Sequence, residues 1–220
     1  MVYRQTDKVR RRLAARHDAI VAAARQIAAE AGIAAVQIVP VAERAGVAAG
    51  TIYRYFPGKT ELVSAVVKAA CDADLAAMRR AAAAAPGSMS ALVAAIVAFA
   101  ARALHHRRLA WALLAEPAEP DVAELRISYR RAITGEIEAR LRAASPEHVG
   151  GIDAALAAPA IVGAMLEALL GPLAPQASDP AREREAVQLV ALFALRGAGI
   201  VDGLARGLIV QTPMVVEAPA

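Results

Sequence analysis

An all-helical fold is predicted by three features of this 220-residue sequence. Alanine, the residue with the highest helix propensity, dominates a composition that is 58% hydrophobic but only 4% aromatic. No stretch alternates between apolar and polar residues for long enough to indicate a β-strand. Apolar residues instead recur at helical spacing in segments that glycine and proline separate. We therefore expect about nine helices, divided between an N-terminal head and a larger C-terminal body.

The first predicted helix covers residues 13–31. Ile20 and Ile27 share one face of it, and Gly32 provides a stop signal at its C-terminus. Residues 1–12 are basic and show no apolar periodicity. They are expected to form a mobile arm ahead of the helix.

The stretch 37–62 predicts two short helices joined by a tight turn, followed by an aromatic cluster and a new helix start. Gly46 permits the backbone reversal between the two helices, because it lacks a Cβ atom. Residues 48–54 form the second helix. This spacing is typical of a helix-turn-helix, in which the second helix enters the major groove of DNA.

Phosphate-binding groups surround this second helix. Thr51, Tyr53, Tyr55 and Lys59 supply hydroxyl and ammonium donors that can bind phosphate oxygens without reading a base. The alternative is that the aromatic residues only fill the core, and Phe56 is expected to do so in either case. The turn and the basic context favour DNA contact for the two tyrosines and the lysine.

The segment AGVAAGTIYRYFPGKTEL resembles the DNA-binding signature of the TetR/AcrR-type transcriptional regulators, and the resemblance extends over about residues 16–67. It implies that the following residues contact the operator: Ala49, Gly50, Thr51, Tyr53, Arg54, Tyr55 and Lys59. Gln37 is a further DNA-binding candidate, since it stands where the family commonly has a threonine at the start of the first helix of the pair. Ala48 stands where the family often has a capping Ser or Thr, so the second helix is expected to lack that cap.

Charge is distributed unevenly along the chain. Residues 1–60 hold ten Lys and Arg against four Asp and Glu, a balance of +6, which leaves −2 for residues 61–220 of a chain whose total is +4. Binding to DNA phosphates would use a positive surplus at the motif. Together with this charge distribution, the resemblance implies a DNA-binding domain over residues 1–60 and a ligand-binding and dimerisation domain over residues 61–220.

The body is predicted to contain a series of helices, the first of which joins it to the head. Their expected ranges are 58–84, 89–105, 109–115, 122–144, 152–170 and 181–208. Within 122–144, the charged residues Arg126 and Glu136 are expected on the outer face. His105 and His106 are expected at a solvated helix end, where cations are favourable.

A ligand pocket in the body is implied by the family resemblance. The scarcity of charge in the body favours a small, mostly apolar effector with one or two polar handles. The candidate lining residues are Met78, Phe99, His106, Trp111, Arg126, Tyr129, Met165 and Phe193. Each large apolar residue among them could equally fill the core, which is the more frequent role of such residues.

Homodimerisation is also implied by the resemblance, through a four-helix interface that the last two long helices form with their copies. Their alanine-rich, glycine-containing faces permit close helix approach. The alternative is that both helices are internal to one body. A protein that reads DNA with one recognition helix usually needs two half-sites, which favours the dimer.

No enzyme motif is present: HExxH, the P-loop, GxGxxG after a strand and GxSxG are all absent, and no cofactor is expected. The single cysteine, Cys71, makes a zinc site improbable and agrees with a reducing compartment. No apolar run reaches the roughly 18 residues of a membrane span, and no secretory signal is recognisable. A cytoplasmic protein is expected.

The sequence thus predicts a homodimeric TetR-like regulator, a repressor that a small apolar ligand releases from a pseudo-palindromic operator in double-stranded DNA. Two alternatives remain open. One is a DNA-binding protein that is indifferent to sequence and has no ligand. The other is a carrier of apolar ligands, or a small enzyme, with a vestigial head.

Overall fold

The computed structural model describes residues 2–116, 120–144, 151–175 and 179–214, with residues 2–6 as backbone only. These residues form ten α-helices and one short 3-10 helix, and they contain no strand. The helices of the head and its connection are α1 (Val2–Ala31), α2 (Ile38–Arg44), α3 (Ala49–Tyr53) and α4 (Lys59–Ala83). Those of the body are α5 (Ser88–His105), α6 (Arg107–Leu114), α7 (Pro120–Ala143), α8 (Ala154–Leu170), α9 (Pro180–Gly197) and α10 (Asp202–Gln211). The predicted all-α class is confirmed.

The expected arm at the N-terminus is helical, so the predicted start of the first helix at residue 13 was wrong. Helix α1 already begins at Val2. The segment is rich in Arg, Lys and Gln, which favour helix, and Asp7 accepts a 2.9 Å hydrogen bond from Arg10 one turn later. Residues 8–12 are exposed, so this part of the helix needs no apolar face. Propagating an existing helix does not require packing. Gly32 ends α1 with a φ of 84°, as predicted.

The predicted final helix, residues 181–208, is two helices, α9 and α10. Gly199 takes a φ of 78° between them, a left-handed conformation that favours glycine. The amides of Gly199 and Ile200 donate to the carbonyls of Arg196 and Leu195, which closes the end of α9. Asp202 then accepts a 2.9 Å bond from Arg206 in the first turn of α10.

Two charged residues of α7 expected on its outer face are buried instead. The Nη2 atom of Arg126 donates to the carbonyl of Ala112 on α6 at 2.6 Å. Glu136 accepts hydrogen bonds from Arg79 on α4 at 2.8 Å and from Arg140 at 2.7 Å. Burial opposes the charge of Glu136, but these two arginines leave the pKa of its carboxyl lowered. Charged residues can therefore occupy the inner face because neighbouring helices supply partners.

One continuous hydrophobic core includes residues of every long helix of the body and of the head. Helix α5 is its central element. It is long and apolar enough to cross a membrane by composition, and 72% of it is buried inside the bundle, as in the core helix of a soluble protein. Residues on nearly every side of α5 are buried, in agreement with its apolar character all round.

The head is attached to the body through α4 and, at a second place, where α1 packs against α6. Helix α4 begins beside the recognition motif at Lys59 and runs into the body. At the second place, Oε2 of Glu116, just after α6, accepts a 3.0 Å hydrogen bond from the amide of Ile33. That amide begins the short 3-10 helix Ile33–Ala35, where free N–H groups favour a carboxylate.

Candidate nucleic-acid interface

The two short helices of the head have the geometry of a helix-turn-helix. Gly46 has a φ of 64° at the turn, and the amide of Val47 donates to the carbonyl of Ala42 at 2.9 Å. Ala48 is the N-cap residue of α3 and provides no side-chain cap, as the sequence predicted. The predicted reversal at Gly46 is confirmed.

Helix α3 has one buried face and one exposed face. Ile52 is fully buried, and Phe56, three residues beyond the end of the helix, is also buried. Tyr53 is 55% exposed, and Arg54 is also exposed. A Cβ atom added at Gly50 would meet nothing within 4 Å, so the backbone of α3 is open to close approach there. The side of α3 that faces solvent thus presents a phenol, a guanidinium and bare backbone.

Tyr55 lies at the border between the core and the surface. Its ring is half-buried and lies 6.4 Å from that of His17 on α1, while the ring of His17 packs 5.0 Å from that of Phe56. Lys59, the first residue of α4, is half-buried, with Gly58 as the N-cap. Helix α1 therefore orients one tyrosine, and the start of α4 positions the lysine.

An exposed ion pair fixes α2 on α1. Arg44 donates from both Nη atoms to Glu30, at 2.9 and 2.8 Å. The hydrogen bonds from Arg44 lower the pKa of the Glu30 carboxyl. This bidentate pair joins residues fourteen positions apart on different helices. The sequence contains no signal that pairs Arg44 with Glu30. It likewise contains no signal that places His17 of α1 beside Tyr55, so the sequence did not predict this contact.

Gln37 is exposed at the N-cap position of α2, but its side chain does not cap that helix. Its Nε2 atom donates to the carbonyl of Ala34 at 3.0 Å. Thr51 and Ala49 are half-buried on α3. The structure thus brings the predicted candidates from Ala49 to Lys59 together around one short helix, with Gln37 at the start of the preceding one.

The eight predicted ligand residues do not form one site. Met78, Phe99 and Met165 are fully buried in the core. Trp111 is half-buried, and Phe193 is 66% exposed on α9.

Two of the three polar members of that set, Arg126 and Tyr129, form hydrogen bonds within the body. Tyr129 is buried and donates to Oδ2 of Asp74 at 2.6 Å, and burial, followed by the Asp74 charge, raises the pKa of the phenol. Burial lowers the pKa of the Arg126 guanidinium. His106 is half-buried, and its buried Nε2 atom has no hydrogen-bonding partner among the described residues. The expectation of a fully solvated histidine pair therefore holds only for His105, which is exposed.

A groove of about 470 Å³ lies between α4, α5 and α10. None of the eight predicted ligand residues lines it, although Arg102, which does, donates to Asp74, the partner of Tyr129. In the part of the chain that the structure describes, no group of three or more His, Cys, Asp or Glu side chains could hold a metal ion.

An exposed recognition helix on a small helical head, joined by a long helix to an all-helical body, defines the class of helix-turn-helix regulators. Residues 20–66 match the family model described as bacterial regulatory proteins, tetR family. The head of this chain is accordingly a TetR-family helix-turn-helix domain, and the described residues have the all-α fold of solved TetR/AcrR regulators.

Solved structures with this fold cover nearly the whole chain. The fatty acid degradation regulator FadR from Bacillus halodurans is 20% identical, with a TM-score of 0.66 over 80% of this chain and 94% of that one. Salmonella enterica GusR is 23% identical, with a TM-score of 0.62 over 88% and 95% of the two chains. RolR, solved in complex with resorcinol, is 18% identical, with a TM-score of 0.61 over 94% and 98%. No curated protein sequence matches the chain.

Proposed function

We propose that this protein is a dimeric, cytoplasmic transcriptional repressor that binds a pseudo-palindromic operator and leaves it when a small, mostly apolar ligand binds the body. The observation that carries the proposal is the division of α3 into two faces. Ile52 anchors the helix in the core, whereas Tyr53 and Arg54 extend into solvent beside the open backbone of Gly50. A helix held in this way can enter a major groove without losing its own packing.

In the proposed complex, phosphate and base contacts are made by different groups. Tyr53, Tyr55 and Lys59 bind phosphate oxygens, which fixes the orientation of the head on the duplex. The exposed side of α3, from Ala49 to Arg54, meets the base edges. Gln37 lies at the start of α2, where it contacts the DNA backbone.

The proposed dimer forms through α8 and α9, which carry large apolar side chains on their outer surfaces. Leu156 on α8 is 70% exposed, and on α9 Leu189 is 58% exposed, one turn before Phe193. Open space surrounds Gly163, which lies on the same face of α8 as Leu156. Pairing α8 and α9 with their copies would bury this surface and set two heads at half-sites about one helical turn of DNA apart. Phe193 thus acts at the dimer interface.

Ligand release is proposed to act through α4, because this helix begins at the DNA-binding motif and packs against α5 and α7 of the body. A ligand that binds more tightly to one tilt of α4 shifts the spacing of the two heads. The structure of RolR with resorcinol supports a small-molecule site in a protein of this fold.

The test is a DNase footprint on genomic fragments, followed by affinity measurements over a range of salt concentrations. We expect a protected palindrome. The double substitution Tyr53→Phe with Lys59→Ala should weaken binding to all sequences similarly and reduce the salt slope by about 1. Lys68→Ala is the matched control, since Lys68 is an exposed lysine further along α4 that pairs with Asp72.

Two results would contradict the proposal. Binding without a protected palindrome would indicate a protein that is indifferent to DNA sequence. Affinity that the double substitution leaves unchanged would favour a ligand carrier with a vestigial head.

A further inference from the structure

Alanine is the most frequent residue in the described walls of the groove between α4, α5 and α10, at six of fourteen positions. Its volume of about 470 Å³ falls within the roughly 300–1,000 Å³ that small-molecule sites occupy. The six alanines are Ala77, Ala81, Ala84, Ala85, Ala94 and Ala98. Because their side chains are short, the helices that carry them leave a space that larger residues would fill. The alanine side chains therefore offer apolar surface to the chain of a ligand.

The two charged side chains among the described lining residues are both positive. Arg80 and Arg102 line the groove, and no acidic side chain does so among the described lining residues. The side chain of Arg102 is 12% exposed, and its Nε atom donates to Oδ1 of Asp74 at 2.8 Å. Tyr129 holds the other carboxylate oxygen of Asp74 at 2.6 Å. The guanidinium is thus oriented in advance by a buried carboxylate and phenol.

The Nη atoms of Arg102 are the groups available to a ligand. Within the described part of the chain, Arg102 forms no hydrogen bond other than the one from Nε to Asp74. A guanidinium edge with two N–H donors matches a carboxylate in a bidentate arrangement, and such charge-assisted bonds are about twice as strong as neutral ones.

We propose that this groove binds a monocarboxylic acid with a short aliphatic chain. The carboxylate binds the Nη atoms of Arg102, and the chain lies along the alanine walls. Polar side chains at the groove, Ser90, Gln211 and Thr212, bind water or the free edge of the carboxylate.

This site deepens the proposed function, because it names the ligand class, and it rests on that function for its effect on DNA. The last turns of α4 form one wall, and α4 begins at Lys59 in the head. The opposite wall includes Leu208 of α10, which follows the proposed dimer helix α9. A ligand between these walls alters the position of α4 relative to the dimer axis.

Isothermal titration calorimetry of the full-length protein with octanoate, hexanoate and 1-octanol tests the site. We expect octanoate to bind about 15-fold more tightly than hexanoate, since each buried methylene contributes about fourfold. 1-Octanol should bind at least about tenfold more weakly than octanoate, because it lacks the charged hydrogen-bond acceptor. Equal binding of octanoate and 1-octanol would overturn the assignment of the carboxylate to Arg102.

Cavity-filling variants locate the binding. Ala81→Leu and Ala98→Leu place side chains in the groove from α4 and α5, and each should weaken octanoate binding at least about tenfold. Ala83→Leu is the matched control, since Ala83 is exposed on α4 and does not line the groove. Unchanged helical circular dichroism and melting temperature show that each variant is folded. Undiminished octanoate binding by both folded groove variants would place the ligand elsewhere and overturn the proposal.

A footprint measured on the same protein preparation separates the two proposals. Operator protection without octanoate binding overturns the ligand site and leaves the regulator function intact. Octanoate binding without any protected DNA supports the site and contradicts the regulator function.

Discussion

The head and the body use polar side chains in opposite ways. In the head, Tyr53 and Arg54 extend into solvent around a small apolar core, and the Arg44–Glu30 pair is exposed. In the body, polar groups are turned inward: the two charged residues that are buried in the described chain, Arg126 and Glu136, both belong to α7. The difference indicates that the head keeps hydrogen-bond donors for a partner, while the body uses its own to fix helices against each other.

The largest expected effect breaks the polar network of the body. Asp74→Ala leaves the guanidinium of Arg102 and the buried hydroxyl of Tyr129 without their shared acceptor. Removing one partner of such a buried pair typically destabilises a protein by about 3–5 kcal/mol. Urea denaturation followed by circular dichroism measures the free energy of unfolding.

Asp72→Ala is the control for this substitution, since Asp72 makes only an exposed ion pair with Lys68 on the same helix. It should leave the denaturation midpoint unchanged. Equal effects of the two substitutions on the free energy of unfolding would show that the network around Asp74 stabilises the body no more than an exposed ion pair does.

A smaller effect is expected in the apolar core of the head. Ile52→Ala should destabilise the head by about 2–4 kcal/mol, because it opens a cavity beneath α3. DNA affinity should fall with it, since the recognition helix loses its anchor. Fluorescence anisotropy with a labelled operator measures the affinity.

Ile133→Ala is the matched substitution in the body, where Ile133 is fully buried like Ile52. It should destabilise the protein by a similar amount while folded protein keeps its affinity for DNA. An unchanged DNA affinity of the Ile52→Ala variant would show that the position of α3 does not depend on its packing in the core.

The smallest expected effect depends on pH and concerns the contact region of head and body. Burial, and then the nearby charges of His105 and Arg102, lower the pKa of His106 from its ordinary value of 6.5. A histidine whose folded-state pKa is lowered stabilises the folded state above about pH 6.5, and this stability is lost as the pH falls toward the folded-state pKa. The melting temperature should therefore decrease between pH 7.5 and 5.5.

His106→Gln should flatten this pH dependence, whereas His105→Gln, at an exposed position, should leave most of it. A steeper dependence in the His106 variant would mean that the imidazole is stabilised in its charged form.

Much of the fold could be predicted from the sequence because helices depend on local signals. Gly32, Gly46 and the segment 86–88 ended helices or permitted turns where expected. The two wrong predictions of helix bounds also have local causes. The basic start of α1 is helical without an apolar face, and Gly199 breaks the last long segment although its apolar pattern continues.

The candidate site was predictable to a different degree in the two regions. In the head, spacing and residue type located the residues around α3, which the structure gathers on one helix; their contacts with DNA stay predictions. In the body, the sequence offers large residues as pocket candidates, yet Met78, Phe99 and Met165 fill the core. The groove lies among alanines, because space arises where side chains are small, and no sequence pattern distinguishes those alanines from others.

The sequence by itself determined the helical class, the position of the helix-turn-helix and the family of the head, because these depend on propensities and on a motif within one short segment. Only the tertiary structure decided which charges are buried, which polar groups share Asp74 and where the body leaves a cavity. These properties depend on residues far apart in the chain, such as Arg79 with Glu136 or Ile33 with Glu116, whose pairing is set by helix packing.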